Sequence, residues 1–152
     1  MRLFNRRFGR YTAVFEPAEA TLISDLVDQV RQMLAGRRAE ASTDPLAQVT
    51  GMVVAPATAP ADLISRKDAA AVRLLDSLPR GGGTVHLDAE DAQAWVATLN
   101  DVRLALGIRL DITDDDYEPP ADADPDGMEV AIFNAYRWLS AVQDSLVTAL
   151  MH

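Results

Sequence analysis

Trp95, Leu99, Val102 and Leu106 recur at spacings of four, three and four, with Ala92 and Val96 beside them. That period gathers all six on one face of a helix. Asn100, Asp101 and Arg103 stand immediately beside the stripe. Polar and charged groups so close to a buried face cost free energy unless they meet partners. The helix is therefore expected to be clasped by neighbours that offer matching polar groups, and Gln143 is one candidate partner for Arg103. Asp88 is the expected N-cap, because its carboxylate can accept the free N–H groups of the first turn. Gly107 is expected to stop the helix in a left-handed cap. Leu104 projects from the far side, a face open to another helix or another subunit.

Three further helices are expected around it. Glu16-Pro17 opens one, with proline at the first helical position where its missing N–H costs nothing. Leu22, Leu26, Val30 and Met33 form its stripe, and Gly36 is its expected end, followed by a polar linker to Thr43. A second runs from about Ala61 to Leu78 and is closed by Pro79 and the glycines 81–83, which read as a flexible connector. The last runs from about Met128 to Leu150. Its apolar arc, widened by Tyr136, Trp138 and Val147, suits a central core helix or one that also packs on a partner. Residues 10–15 and 84–87 have the β-branched and aromatic character of short strands and are expected to pair. Asp44-Pro45 is a candidate start for a short helix, and residues 44–60 otherwise carry no readable pattern. The result is a mainly α chain: a bundle of about four helices with a small two-stranded β element, in a single domain over residues 1–152. Residues 1–9 form a basic arm and residues 111–127 an acidic loop.

Composition excludes several chemistries. The chain has no cysteine, so disulfides, thiolate catalysis and cysteine-held metals are absent together. His86 and His152 are far apart and make no ligand pair. No apolar run reaches a membrane span, and the basic start lacks the apolar stretch of a signal peptide. A cytoplasmic location and no membrane contact are the expectation. The net charge of −9 is uneven: residues 84–152 hold fourteen acids against three arginines, whereas residues 1–43 hold seven arginines against five acids. An acidic surface repels duplex DNA, whose binding depends on neutralised phosphates. DNA binding is disfavoured, although Arg2, Arg6, Arg7 and Arg10 form a cluster that suits phosphates or an acidic protein.

No catalytic, cofactor or metal site is expected. Asp122, Asp124, Asp126 and Gly127 match the opening of an EF-hand loop, but Pro125 and Phe133 stand where that loop needs other residues. Asp114–Asp116 read as a solvated charge run. The glycine triplet lacks the Lys-Ser/Thr of a phosphate loop. The residues that stand out are Asn100, Asp101, Arg103, Leu104, Arg109, Trp138 and Gln143, as a structural polar cluster or an interface.

Trp95–Gly107 (WVATLNDVRLALG) with Arg109-Leu110, the helix Tyr136–Val147 (YRWLSAVQDSLV) and the segments Gly9-Arg10 and Phe15–Leu22 resemble an actinobacterial family of unknown function that includes the AosR-type oxidative-stress transcription regulators. The resemblance implies a non-enzymatic cytoplasmic regulator that works through a protein partner such as a sigma factor of RNA polymerase. It also implies a redox-sensitive cysteine pair, which this chain cannot supply. A second copy of the chain is the other candidate partner. Two alternatives remain: direct DNA binding through the N-terminal arginines, and an undetected enzyme or metal protein.

Overall fold

The computed structural model describes residues 2–39, 61–110 and 127–151. In chain order these form β1 (Arg2–Arg7), β2 (Arg10–Phe15), α1 (Pro17–Ala39), α2 (Ala61–Ser77), β3 (Gly83–Leu87), α3 (Ala89–Arg109) and α4 (Met128–Met151). The mainly helical expectation holds, with four helices among the described residues. The strand count does not. The sheet has three antiparallel strands in the order β1-β2-β3, and the expected basic arm is β1. The unreadable segment 44–60, the candidate helix at Asp44, the acidic run 114–116 and the EF-hand-like aspartates lie outside the described residues.

β2 is the central strand. Tyr11, Ala13 and Phe15 point into the core, as alternation along a half-buried strand requires. It pairs with β3 from Tyr11↔Leu87 to Phe15↔Gly83, which puts Val85 and Leu87 on the same inner face and leaves His86 outward and exposed. β1 pairs with β2 through an irregularity between Arg2 and Asn5. Alternation from the Asn5↔Thr12 pair puts Phe4 on the inner face at 6% exposure, while its neighbour Leu3 stays 42% exposed. The amide of Phe4 donates to Ser145 Oγ of α4 at 3.2 Å, so the helix satisfies a backbone group that an edge bulge would leave open.

The central helix is α3. It packs against α1, α2, α4 and the sheet. Ala92, Trp95, Leu99, Val102 and Leu106 are buried on the expected stripe, and Ala94, Thr98, Asp101 and Ala105 are buried as well. Burial thus spans about half the helix circumference, leaving Gln93, Ala97, Asn100 and Leu104 as its exposed strip. α1 buries Ala20, Ile23, Val27, Val30 and Leu34, and α4 buries Leu139, Val142 and Leu146. Two expected helix ends move. α1 runs through Gly36 to Ala39, and α3 runs through Gly107 to Arg109, with Leu110 as a right-handed C-cap. Gly107 costs the helix some backbone entropy but lies under the ring of Tyr136, where an added Cβ would be 3.9 Å away.

The glycine triplet is more than a connector. Gly82 has φ +82°, and a Cβ there would lie 2.7 Å from the nitrogen of Pro17 and 2.9 Å from the carbonyl carbon of Glu16. Only glycine lets the turn before β3 press against the start of α1. That turn is closed by the amide of Gly82 donating to the carbonyl of Pro79 at 3.0 Å.

Candidate functional site

Four polar ties clasp α3, one after another along its length. At its start Asp88 and Asp91 form a reciprocal cap. The amide of Asp91 donates to Asp88 Oδ1 at 2.8 Å, and the amide of Asp88 donates to Asp91 Oδ2 at 3.4 Å. Accepting that amide holds the Asp88 carboxyl below its ordinary pKa, with Arg73 adding to the effect. Arg73, on α2, reaches the N-cap acid and both acids of the first turn: Nε to Asp91 at 2.6 Å, and Nη2 to Glu90 at 3.2 Å and Asp88 at 3.7 Å. Negative charge at a helix N-terminus is favourable in itself, and here it also fastens α2 to α3.

One turn further, the Trp95 indole N–H donates to Ser77 Oγ at 2.7 Å. Ser77 is itself held by its hydroxyl, which lies 2.9 Å from the carbonyl of Leu74 and 3.0 Å from that of Arg73. The Trp95 ring stacks on Phe15 at 5.9 Å and takes Phe4 edge-on at 5.4 Å. Trp138 of α4 meets Phe15 at 6.2 Å in an edge-on arrangement. Strand, hairpin and two helices therefore converge on one aromatic cluster.

The third tie is a nearly buried ion pair. Asp101, 5% exposed, accepts from Lys67 Nζ of α2 at 2.8 Å. Burial pushes its carboxyl above the ordinary aspartate range, and the hydrogen bond and charge of Lys67 hold it partly back.

The fourth tie joins α3 to α4. Arg103 Nη1 donates to Gln143 Oε1, and Gln143 Nε2 donates to the Val96 carbonyl at 3.2 Å. The Arg103 guanidinium lies over the Tyr136 ring, 5.5 Å from its centroid. Its Nε is buried without a hydrogen-bond partner among the described residues. Gln143→Leu keeps the volume but removes both hydrogen bonds and leaves Arg103 half-buried without an acceptor. It is expected to lower stability by about 2 kcal/mol, read as a urea midpoint. Adding Arg103→Met should recover most of that loss; no recovery would show that the two side chains do not act together.

The seven residues singled out from sequence therefore separate. Arg103 and Gln143 meet. Asp101 turns the other way, to Lys67. Asn100 is exposed, Leu104 is 39% exposed on the same strip, and Trp138 belongs to the aromatic cluster. The side chain of Arg109 lies outside the described residues. Lys67, Arg73, Ser77 and Asp91 complete the ties and carried no local signal, apart from the spacing Asp88-x-x-Asp91, which is that of a capping box.

These groups are occupied with one another. Among the described residues no three His, Cys, Asp or Glu side chains are placed to hold a metal ion, and no helix is long and apolar enough to cross a membrane. An open groove of about 720 Å³ between β1 and α4 is lined by Leu3, Phe4, Ala141, Ser145 and Thr148, with Arg6 and Asp144 as its charged residues. That lining offers no set of converging acids and bases.

Two relatives with assigned names align over nearly the whole chain. The oxidative stress regulator AosR of Mycobacterium tuberculosis is 29% identical over 191 aligned positions, covering 99% of this chain and 86% of the relative. The putative oxidative stress regulator AosR of Mycobacterium leprae is 28% identical, covering 93% of this chain and 83% of the relative. No solved structure matches. The family described as a domain of unknown function, DUF2017, matches at residues 1–62 and 61–150, on both sides of α2's first turn, and the chain belongs to that family.

Proposed function

We propose that this chain is a non-enzymatic, cytoplasmic regulator of a response to oxidative stress and that it acts by binding another protein. One observation carries the reading: relatives named as oxidative stress regulators align with 99% of the chain, so the likeness extends over every element that builds the fold. The charged groups packed along α3 support it, because Asp101, Arg103 and the Arg73–Asp91 pair fasten α3 to its neighbours. The sigma factor implied by the family resemblance is the protein partner we propose. The absence of cysteine means that any response to oxidants in this chain runs through something other than a disulfide.

The test is genetic. The coding sequence is deleted in the native organism and transcripts are compared before and after a peroxide challenge, with the intact chain restored in trans. A peroxide-responsive set of transcripts that shifts on deletion and returns on restoration supports the reading. Identical transcript profiles in all strains would sink it.

A further inference from the structure

The turn joining β1 to β2 breaks three local rules within four residues. Arg7 pairs directly across from Arg10, so Phe8 and Gly9 form a two-residue loop. Both carry positive φ, 51° and 75°, the left-handed pair of a type I′ turn. Asn-Gly or Asp-Gly usually occupies such a turn, because a short polar side chain tolerates the left-handed backbone and a bulky one does not. The second conflict is exposure. Phe8 is 99% exposed, so its ring buries no area within this chain. The third is charge. Arg7 and Arg10 are both exposed and directly opposite, where like charges repel.

The stem below this tip is firm. Phe4 and Tyr11 are buried, β2 is held on both edges, and Thr12 Oγ1 lies 3.4 Å from Asn5 Oδ1 across the strands. A strained aromatic on a rigid stem costs little entropy to immobilise when it docks. Local conflicts that a fold does not need are characteristic of surfaces it uses.

We propose that Arg7-Phe8-Gly9-Arg10 is a docking knob for an acidic protein surface: Phe8 fills an apolar pocket on the partner, and Arg7 and Arg10 engage carboxylates at the pocket rim. This rests on the reading that the chain acts through a protein partner. Aromatic and arginine side chains are the residues that most often dominate protein–protein contacts. Nucleic acid fits less well. Duplex binding draws on many neutralised phosphates along a groove, whereas this tip offers two arginines on a chain of net charge −9.

The test uses the full chain and two substitutions that relieve the local conflicts. Phe8→Asn installs the preferred turn residue, and Arg7→Glu converts the like-charge pair into an opposite-charge pair. Both are expected to raise the thermal midpoint, which separates loss of binding from loss of folding. A displayed library of random peptides is selected on the wild-type chain, and a synthetic peptide of the strongest consensus is titrated by fluorescence anisotropy. Single-stranded and duplex DNA oligonucleotides are titrated alongside. The expected result is a consensus of apolar residues flanked by Asp or Glu, bound about tenfold or more weakly by each variant. No consensus, a consensus without acids, or unchanged affinity in both variants would overturn the proposal. Tighter binding of an oligonucleotide that both variants lose would reassign the tip to nucleic acid. Unchanged affinity in the variants with transcripts that still respond to deletion would remove this surface and leave the regulatory reading standing.

Discussion

Trp95→Ala is expected to be the most damaging single substitution in this chain, lowering the urea midpoint by about 2 M and stability by about 4 kcal/mol. Three losses coincide. The ring is fully buried, and its removal opens a cavity between the sheet and α3. Phe15 loses its stacking partner, and Phe4 loses the face it meets edge-on. Ser77 Oγ loses the indole donor, although its own contacts with the carbonyls of Leu74 and Arg73 remain. Trp95→Phe separates these effects. It keeps an aromatic ring beside Phe15 and gives up one hydrogen bond, while the Ser77 hydroxyl still donates to a backbone carbonyl, so a loss of about 1 kcal/mol is expected. If Phe costs as much as Ala, the hydrogen bond to Ser77 outweighs the packing and the aromatic cluster is not the centre of the fold.

The prominence of Trp95 could be read from sequence, because apolar residues at a period of 3.6 identify a buried helix face regardless of what covers it. The same reasoning found α1 and α4 and the pairing of β2 with β3. It failed at β1 for a local reason. Leu3 and Phe4 are adjacent apolar residues and the positions two further on, Asn5 and Arg6, are polar, so the period-two alternation that marks a strand is absent, and the surrounding arginines suggest a solvated arm. It failed at Gly36 and Gly107 because glycine only disfavours a helix interior, and both helices run through it, α1 to Ala39 and α3 to Arg109. It misjudged Gly82, whose role is a close approach to Pro17, a residue far away in sequence. The α3 polar cluster was legible as residues that need partners, and only in part as to which partners. Asp101 and Arg103 are two positions apart, and helical geometry sends them to opposite neighbours, Lys67 and Gln143. Phe8 gave no sign of its place in a turn, because it lies in the segment read as a basic arm and phenylalanine is not a turn-forming residue.

Lys67→Met is expected to cost about 3 kcal/mol at neutral pH, and the cost should shrink as the solution is acidified. Methionine preserves the length and apolar stem of lysine on α2 while removing the ammonium group that lies 2.8 Å from Asp101. The carboxylate is left 5% exposed with no cation, and breaking one side of a buried pair is far more damaging than replacing both. The sign of the pH effect follows from the direction of the Asp101 shift. Burial raises its folded-state pKa above the unfolded value, and Lys67 opposes that rise. The folded protein therefore holds the Asp101 proton more tightly than the unfolded chain does. Its contribution to stability is fully present below the unfolded pKa and is lost as pH rises through the folded pKa. Removing Lys67 raises the folded pKa further, so in the variant this window opens at higher pH than in the wild type. Other carboxyls act in the opposite sense. Asp88, held below its ordinary range by the Asp91 amide and Arg73, contributes stability above its unfolded pKa that is lost as pH falls through the lower folded value. That effect is common to both proteins and cancels when the midpoint difference between them is taken at each pH. The difference should narrow steadily between neutral pH and the ordinary aspartate range. In the double variant Lys67→Met with Asp101→Asn, it should be small and flat, because a neutral amide needs no cation. A difference that stays constant with pH would mean that the loss in Lys67→Met comes from packing between α2 and α3, and that the charge on Asp101 is well solvated in the folded chain.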